Sequence, residues 1–228
     1  LTGGQARGQS GGSIPSAGNP GVSAPGFAWS MGKSTQLANA ADTLKGLGVD
    51  VVVTREPGGT PMAESIRELL LAPRGEAVDE ITELLLMFAA RAQHLNTRIL
   101  PALERGQWVL CDRFTDATFA YQGGGRGIPM QRIEALENWV QGELRPDLTL
   151  FLDVPVDIGM KRAGERSAPD RFERQQIDFF ERVRACYLER ARSDAARYRI
   201  IDAGQPLEDV QRDIANVLEK VLEQAVVV

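Results

Sequence analysis

Short apolar runs that alternate with longer amphipathic segments are the feature that most limits what this chain can fold into. Residues 49–53, 108–110, 148–153 and 199–202 form strand-like runs, and turn residues bound them. Between these runs, apolar residues recur at helical spacing, as they do over residues 37–47. Strands that alternate with helices form parallel sheets with helices on both faces, so the pattern predicts an α/β fold.

The overall composition limits the class of ligand. The 228 residues carry a formal net charge of -5, which argues against a general nucleic-acid-binding protein. An anionic ligand must therefore be held by a local cluster of arginines. The longest apolar run, residues 84–90, is too short to span a membrane, and we expect no signal peptide.

The cysteines and the histidine do not have the spacing of a redox or metal site. Cys111 and Cys186 lie far apart and outside any CxxC pattern, so we expect reduced core thiols in a cytoplasmic protein. His94 is the only histidine and has no sequence partners for a metal site or a catalytic triad. We expect it on the surface of a helix.

The first 31 residues differ from the rest of the chain. They hold eight of the 23 glycines and three of the 12 prolines, and Arg7 is their only charged residue. No apolar period is sustained, so we expect an irregular segment over residues 1–31 and a domain over residues 32–228.

The domain begins with the end of a phosphate-binding loop. Gly32, Lys33, Ser34 and Thr35 precede an amphipathic helix, and this arrangement places backbone N–H groups, a lysine and a hydroxyl around nucleotide phosphates. The full motif, GxxxxGK[ST], requires glycine at position 27, where this chain has Phe27, and no buried strand precedes it. We therefore expect the first strand of the sheet to be missing and the affinity for ATP to be low.

The second candidate site runs over residues 111–127, CDRFTDATFAYQGGGRG. Asp112 and Arg113 follow a buried strand, and ligands of α/β folds bind at the ends of such strands. Three glycines then predict a loop that approaches a ligand closely. A structural ion pair followed by a flexible loop is the alternative interpretation of the same residues.

Two further arginines and a basic segment extend this site. Arg55 follows a strand in a glycine-containing turn, and Arg91 lies on the helix predicted over residues 80–104, where an arginine beside an aromatic residue suits a planar ligand. Both arginines could also be solvated surface residues. Lys161, Arg162 and Arg166 belong to a basic segment over residues 161–174, which is typical of a solvated face or of a lid that closes over phosphates.

Five separated motifs resemble bacterial thymidylate kinases. They are TREPGGT at 54–60, MFAARAQ at 87–93, residues 111–127, LRPDLTLFLDV at 144–154 and DRFE at 170–173, and the match runs from about Gly32 to the C-terminus. The resemblance implies transfer of the γ-phosphoryl group of ATP to dTMP with the help of Mg²⁺. It also implies a P-loop three-layer fold with a five-stranded parallel sheet, a homodimer, and a lid at about residues 161–174.

The resemblance assigns roles to the phosphate-binding residues. It implies that Lys33 and Ser34 hold the ATP phosphates and Mg²⁺, and that Asp112 lies near the metal. It implies that Arg55 and Arg113 bind the dTMP phosphate.

The resemblance also assigns the residues that bind the base and the arginines of the lid. Arg91 is expected to donate to thymine, with Thr118 and Gln122 completing the recognition of the base. Met87 stands where the family has its stacking phenylalanine, and Phe88 is its neighbour, so either side chain could cover the base. Arg166 is the first candidate for a lid arginine that neutralises charge in the transition state, and Arg162 is the second.

Two alternative functions remain open from the sequence. One is another nucleoside monophosphate kinase of the same fold. The other is a non-catalytic nucleotide-binding protein with a degraded P-loop, which would bind dTMP without turning over ATP.

Overall fold

The computed structural model describes residues 22–24, 33–72, 75–162 and 171–226. They contain one five-stranded sheet in which every paired strand is parallel, with the order β2-β3-β1-β4-β5. The strands are β1 (Val22–Ala24), β2 (Val51–Arg55), β3 (Trp108–Asp112), β4 (Leu148–Asp153) and β5 (Tyr198–Asp202). The predicted α/β architecture is confirmed.

Helices connect the strands. They are α1 (Lys33–Gly46), α2 (Pro61–Leu71), α3 (Glu80–His94), α4 (Leu100–Glu104), α5 (Thr115–Thr118), α6 (Met130–Gln141), α7 (Val156–Arg162), α8 (Arg171–Ser193) and α9 (Leu207–Val226), with π-helical segments Leu95–Ile99 and Phe119–Gly125. Local chemistry sets several helix starts. Thr60 caps α2 by accepting from the Ala63 amide, ahead of Pro61, and Asp79 caps α3. None of the described helices is long and apolar enough to cross a membrane.

The expectation that the first strand is missing is wrong. Residues Val22–Ala24 form a short strand between β3 and β4, with Ala24 beside Asp112 and Val22 beside Leu148. A parallel strand in this position is held by backbone hydrogen bonds on both edges, so it does not depend on a long apolar run. Three residues are also too few to produce the periodic pattern by which strands are recognised in sequence.

Alternating side chains of β3 divide the core into two layers. Trp108 and Leu110 pack with the cluster formed by α1 and α9. Val109 and Cys111 pack on the opposite face with α4 and the π-helical segment Leu95–Ile99. A second cluster on that face joins β4 to α7 and α8 through Phe151, whose ring stacks on Tyr187 at 4.9 Å. The sheet is therefore covered on both faces, as the sequence pattern predicts.

The predicted glycine loop is helical. The chain continues from α5 through a π-helical segment to Gly125, and its glycines let that segment pack closely against α8. A Cβ on Gly124 would lie 2.7 Å from Cβ of Cys186, and one on Gly125 would lie 2.4 Å from the ring of Phe179. Arg182 caps the segment by donating to the Gly125 carbonyl at 2.9 Å. The glycines thus serve helix packing, which composition alone does not distinguish from a loop.

Candidate active site

A cavity of about 550 Å³ opens at the carboxyl ends of β2 and β3. This is the edge of a parallel sheet where ligands are expected. Residues of β2, α2, α3, the segment after β3, and α8 surround the cavity. The lining residues are Arg55, Glu56, Pro57, Arg67, Leu70, Leu71, Glu83, Met87, Arg91, Asp112, Arg113, Phe114, Ala117, Thr118, Tyr121, Gln122, Arg126 and Phe179.

Three arginines crowd one end of the cavity. Arg55 donates to Glu64 at 2.9 Å, and that hydrogen bond is the main reason why the pKa of Arg55 is raised. Arg67 donates to the Pro57 carbonyl at 3.1 Å; burial, and then the positive charge of Arg55, lower its pKa, and Arg113 adds to this effect. A guanidinium such as that of Arg67, whose pKa is lowered by its positive neighbours, would be stabilised by an anion bound beside it.

Arg113 adopts an uncommon backbone conformation. It is the one non-glycine residue with a positive φ, 67°, among the described residues. Its guanidinium lies 5.0 Å from the centre of the Tyr121 ring. A left-handed conformation costs a residue with a Cβ about 1 kcal/mol, and such strain is concentrated at functional sites. The turn after β3 therefore directs this arginine into the cavity at an energetic cost.

The other end of the cavity is built around Arg91, which is 3% exposed. Its Nε donates to Oε2 of Glu56 at 2.7 Å, and its Nη2 donates to Oγ1 of Thr118 at 3.0 Å. Its guanidinium stacks 4.7 Å from the ring centre of Phe88. The remaining nitrogen, Nη1, is buried without a partner. Arg91 is thus held rigidly, and the N–H donors of its Nη1 remain unused.

The expectation that His94 lies on a helix surface is wrong. His94 is fully buried, and its Nδ1 lies 3.0 Å from Oε1 of Glu56 while its Nε2 lies 2.6 Å from Oγ1 of Thr54. A Cβ on Gly59 would come within 2.5 Å of the imidazole. The partners of His94 are distant in sequence, so its apparent isolation was misleading. His94 ties the strand-end turn of residues 54–60 to α3.

Gln122 supplies a buried acceptor at the same end. Its Nε2 donates to Oε1 of Glu83 at 2.9 Å, and its Oε1 is buried without a partner. Arg91 and Gln122 therefore offer the cavity wall one unused donor and one unused acceptor. Buried polar groups are normally paired, so this combination suits a ligand that presents a carbonyl beside an N–H.

The two candidates for stacking occupy different environments. Met87 lines the cavity. Phe88 is 2% exposed, packs in the cluster of Leu84, Phe119 and Ile133, and is not among the described lining residues. The structure thus places Met87 at the cavity wall and Phe88 beneath Arg91.

The predicted ATP-binding residues are described only in part. Lys33 and Ser34 lie in the first turn of α1, but their side chains are outside the described part of the structure, as is all of Gly32. Thr35 follows them and is exposed. Arg166 also lies outside the described residues. Arg162, at the end of α7, donates at 2.6 and 2.7 Å to the carbonyls of Ala203 and Gly204 after β5.

Of the two candidate metal ligands, only the carboxylate of Asp112 has a side chain within the described part of the structure. Asp112 ends β3, lines the cavity and is beside Ala24 of β1 in the sheet. Among the described residues, no group of three or more His, Cys, Asp or Glu side chains could hold a metal. Mg²⁺ in phosphoryl-transfer sites usually takes only one or two carboxylates together with substrate phosphates, so Asp112 is compatible with such an ion.

The sequence analysis assigned no role to several residues of the cavity wall, among them Arg67, Glu83, Tyr121 and Phe179. Arg67 lies on α2 within one turn of Glu64, the partner of Arg55, and this spacing was the available signal. The contribution of Phe179 from α8 depends on tertiary packing and left no local signal.

A family model, similar proteins and a similar solved structure all point to the same family. Residues 30–214 match the family model described as thymidylate kinase. A thymidylate kinase of Pseudomonas savastanoi pv. phaseolicola is 61% identical over 192 residues, which cover 84% of this chain and 91% of that protein. One of Teredinibacter turnerae is 58% identical, with 84% and 94% covered. The crystal structure of thymidylate kinase from Ehrlichia chaffeensis superposes with a TM-score of 0.72 at 31% identity, covering 89% of this chain and 100% of that chain.

Proposed function

The chain belongs to the thymidylate kinase family, and on that premise we propose that it transfers the γ-phosphoryl group of ATP to dTMP, giving dTDP and ADP for dTTP synthesis. The cavity is the observation that carries this proposal. It combines a cluster of guanidinium groups at one end with an unpaired donor and an unpaired acceptor at the other. A nucleoside monophosphate has the matching charge and hydrogen-bonding groups at its two ends.

The phosphate of dTMP binds at the arginine end in this proposal. Arg55 and Arg113 hold its oxygens, and Arg67 joins them because a bound phosphate offsets the repulsion that Arg67 experiences from its two positive neighbours. Arginine suits this role because its planar fork binds two oxygens at once. Asp112, at the same end, keeps the cluster from being uniformly positive.

Thymine binds at the opposite end. The free Nη1 of Arg91 donates to a ring carbonyl, the free Oε1 of Gln122 accepts from the ring N–H, and Thr118 fixes Arg91. Met87 covers the face of the ring from the cavity wall, while Phe88 supports Arg91 from below.

ATP binds on the side of β1 and α1. Gly32, Lys33, Ser34 and Thr35 bind its phosphates at the start of α1, and Ser34 and Asp112 hold the Mg²⁺ that accompanies it. The bound ion supplies charge neutralisation on the phosphates. Phe27 stands where the motif has glycine, so we expect the affinity for ATP to be lower than a complete loop would provide.

The protein contributes alignment and charge neutralisation rather than covalent chemistry. Arg113 and Arg55 orient the acceptor phosphate, and Lys33, in the first turn of α1, is the residue we assign to the transferred group. Arg166, and secondarily Arg162, belong to a lid at about residues 161–174 that excludes water and so limits hydrolysis of ATP.

The proposed assembly is a homodimer in the cytoplasm. Met62, Leu69, Leu71, Ile81 and Leu85 leave large apolar side chains exposed on α2 and α3, which suits a contact with a second copy. The two buried free thiols fit a reducing compartment. Sedimentation at twice 24.9 kDa supports the dimer, and sedimentation at 24.9 kDa contradicts it.

A coupled assay for ADP release tests the proposed activity. It uses this chain with ATP, Mg²⁺ and, in parallel, dTMP, dCMP, dAMP and dGMP. Release that requires dTMP supports the proposal, and release driven by another acceptor supports a different nucleoside monophosphate kinase. If dTMP binds but no ADP appears, the chain is a non-catalytic nucleotide-binding protein and the proposed activity is rejected.

A further inference from the structure

Glu83 on α3 makes a contact that bears on which base the cavity accepts. Its Oε1 accepts from Nε2 of Gln122 at 2.9 Å and from Nε of Arg126 at 3.0 Å, and its Oε2 accepts from Nη2 of Arg126 at 2.9 Å. All three residues line the cavity. The Glu83 side chain is 16% exposed and that of Arg126 is 40% exposed. The hydrogen bonds therefore connect the half-exposed Arg126 through Glu83 to the buried Gln122.

The geometry points to Glu83 as a positioning residue that sets the orientation of the Gln122 amide and thereby selects bases with a ring N–H beside a carbonyl. This inference rests on the proposed function, because it concerns the base end of the same cavity. It adds Glu83 and Arg126 to the residues that determine specificity.

The carboxylate of Glu83 determines which way the Gln122 amide can face. An ionised carboxylate only accepts hydrogen bonds, whereas an amide has a donating side and an accepting side. Gln122 must therefore turn its NH₂ group toward Glu83, since the reversed amide would place two acceptor oxygens about 3 Å apart. The reversed orientation loses a charge-assisted hydrogen bond and gains a repulsion.

Arg126 removes the remaining freedom. It binds both oxygens of Glu83, so the carboxylate cannot rotate away from Gln122 without breaking the paired hydrogen bonds. The amide oxygen of Gln122 is left buried and unpartnered. A donor on a bound ligand would satisfy it.

The orientation has a direct consequence for the base. Thymine and uracil offer a ring N–H and an adjacent carbonyl, which complement Oε1 of Gln122 and the free Nη1 of Arg91. Cytosine offers a ring nitrogen that accepts and an amino group that donates. The ring nitrogen would face the acceptor Oε1 of Gln122, and the amino group would face the donor Nη1 of Arg91, so neither contact could form a hydrogen bond. Sites built to hydrogen-bond one pattern reject the other strongly, because buried groups are then left unpaired.

Two ligands isolate this effect: dTMP and 5-methyl-dCMP. They share the phosphate, the sugar and the ring methyl group, and they differ only at ring positions 3 and 4. Titration calorimetry of each ligand needs no ATP, so the result does not depend on the phosphate-binding loop. The unsubstituted chain is expected to prefer dTMP by about a hundredfold.

The decisive variant is Glu83→Gln, which keeps the size of the side chain but can both donate and accept. Gln122 can then reverse, so we expect the preference for dTMP to fall by about tenfold, with tighter binding of 5-methyl-dCMP. Arg126→Gln, at a more exposed position, should change the preference in the same direction by a smaller factor. Glu80→Gln is the control, because Glu80 is an exposed glutamate in the same first turn of α3.

The outcomes separate the inference from the proposed function. If the ratio of the dTMP and 5-methyl-dCMP affinities stays unchanged in Glu83→Gln and Arg126→Gln, the positioning role is overturned. The same holds if both ligands lose affinity equally, because Glu83 then has only a structural role. If the unsubstituted chain binds neither ligand, the proposed acceptor site itself is rejected, and the inference falls with it. A smaller preference for dTMP over 5-methyl-dCMP in either variant, with the preference of Glu80→Gln unchanged, supports the inference.

Discussion

Glu56 and Arg91 form an ion pair in which the Nε–Oε2 distance is 2.7 Å and each side chain is only 4% exposed. The same carboxylate holds His94, so one acidic residue of the strand-end turn orients two side chains of α3. The turn and the helix therefore form one rigid unit at the base end of the cavity.

Replacing Glu56 by alanine should destabilise the fold. The change leaves the Arg91 guanidinium buried without a counter-charge, and breaking a buried pair in this way costs about 3 kcal/mol in the free energy of unfolding. Urea denaturation measures the change. Glu68→Ala is the control on exposed α2 surface and should stay within about 0.5 kcal/mol of the unsubstituted protein. Equal stability of the two variants would mean that the pair contributes nothing.

Arg67→Ala tests the residue that the sequence analysis missed at the arginine end. Removing a guanidinium that binds phosphate should weaken dTMP binding by about tenfold or more, while thymidine, which has no phosphate, should bind as before. Calorimetry or competition binding gives both affinities. Equal weakening for dTMP and thymidine would show that Arg67 supports the cavity wall through Pro57 and does not bind the phosphate.

Gly125→Ala should disturb the packing of α8. The new Cβ would lie 2.4 Å from the Phe179 ring and 2.9 Å from Val183, so helix and ring must move apart, at a cost of about 1 to 3 kcal/mol. Gly46→Ala is matched to it, because nothing lies within 4 Å of the Cβ position there. Thermal unfolding should show a lower Tm for Gly125→Ala only. An unchanged Tm would contradict the close contact with α8.

Asp116 should make stability depend on pH in the acid range. Burial raises the pKa of this carboxyl, but hydrogen bonds from Arg197 and the charge of Arg190 outweigh it and hold the pKa at about 2. An unfolded aspartate has a pKa of about 3.9, so the folded state binds fewer protons and its stability falls as the pH falls from about 4 towards 2. The contribution lost by pH 3 is about 1 kcal/mol.

Urea unfolding at pH 6 and pH 3 checks this sign. Asp116→Asn should be less stable at pH 6, because Arg190 and Arg197 lose their shared counter-charge, and its stability should change less between the two pH values. Asp42→Asn, on exposed surface, should retain the full pH dependence of the unsubstituted chain. An identical pH dependence in Asp116→Asn would show that this carboxyl does not titrate as described.

The sequence predicted the parts of the fold that have a long apolar period. Strands β2, β3, β4 and β5 and the major helices follow from spacing alone, because burial on one or both faces imposes that spacing. β1 was missed because its three residues are held by the edges of its neighbours. The glycines before Arg126 were assigned to a loop because close packing against α8 and loop flexibility require the same residue type.

The site was predictable where a motif placed a charge at a strand end. Arg55, Asp112 and Arg113 lie at the cavity as expected. His94 was misjudged, since its partners Glu56 and Thr54 are 38 and 40 residues away in sequence. Pairings over such separations are created by the tertiary fold and have no local signature.

A calorimetric titration of dTMP and of ATP into the unsubstituted chain and into Arg113→Ala tests whether this cavity is the acceptor site. The account predicts that one dTMP binds per chain, and that Arg113→Ala weakens dTMP binding by about a hundredfold while ATP binding changes little, because the arginine holds only the acceptor phosphate. Equal loss of dTMP and ATP binding, or undiminished dTMP binding, would contradict the assignment of this cavity as the acceptor site.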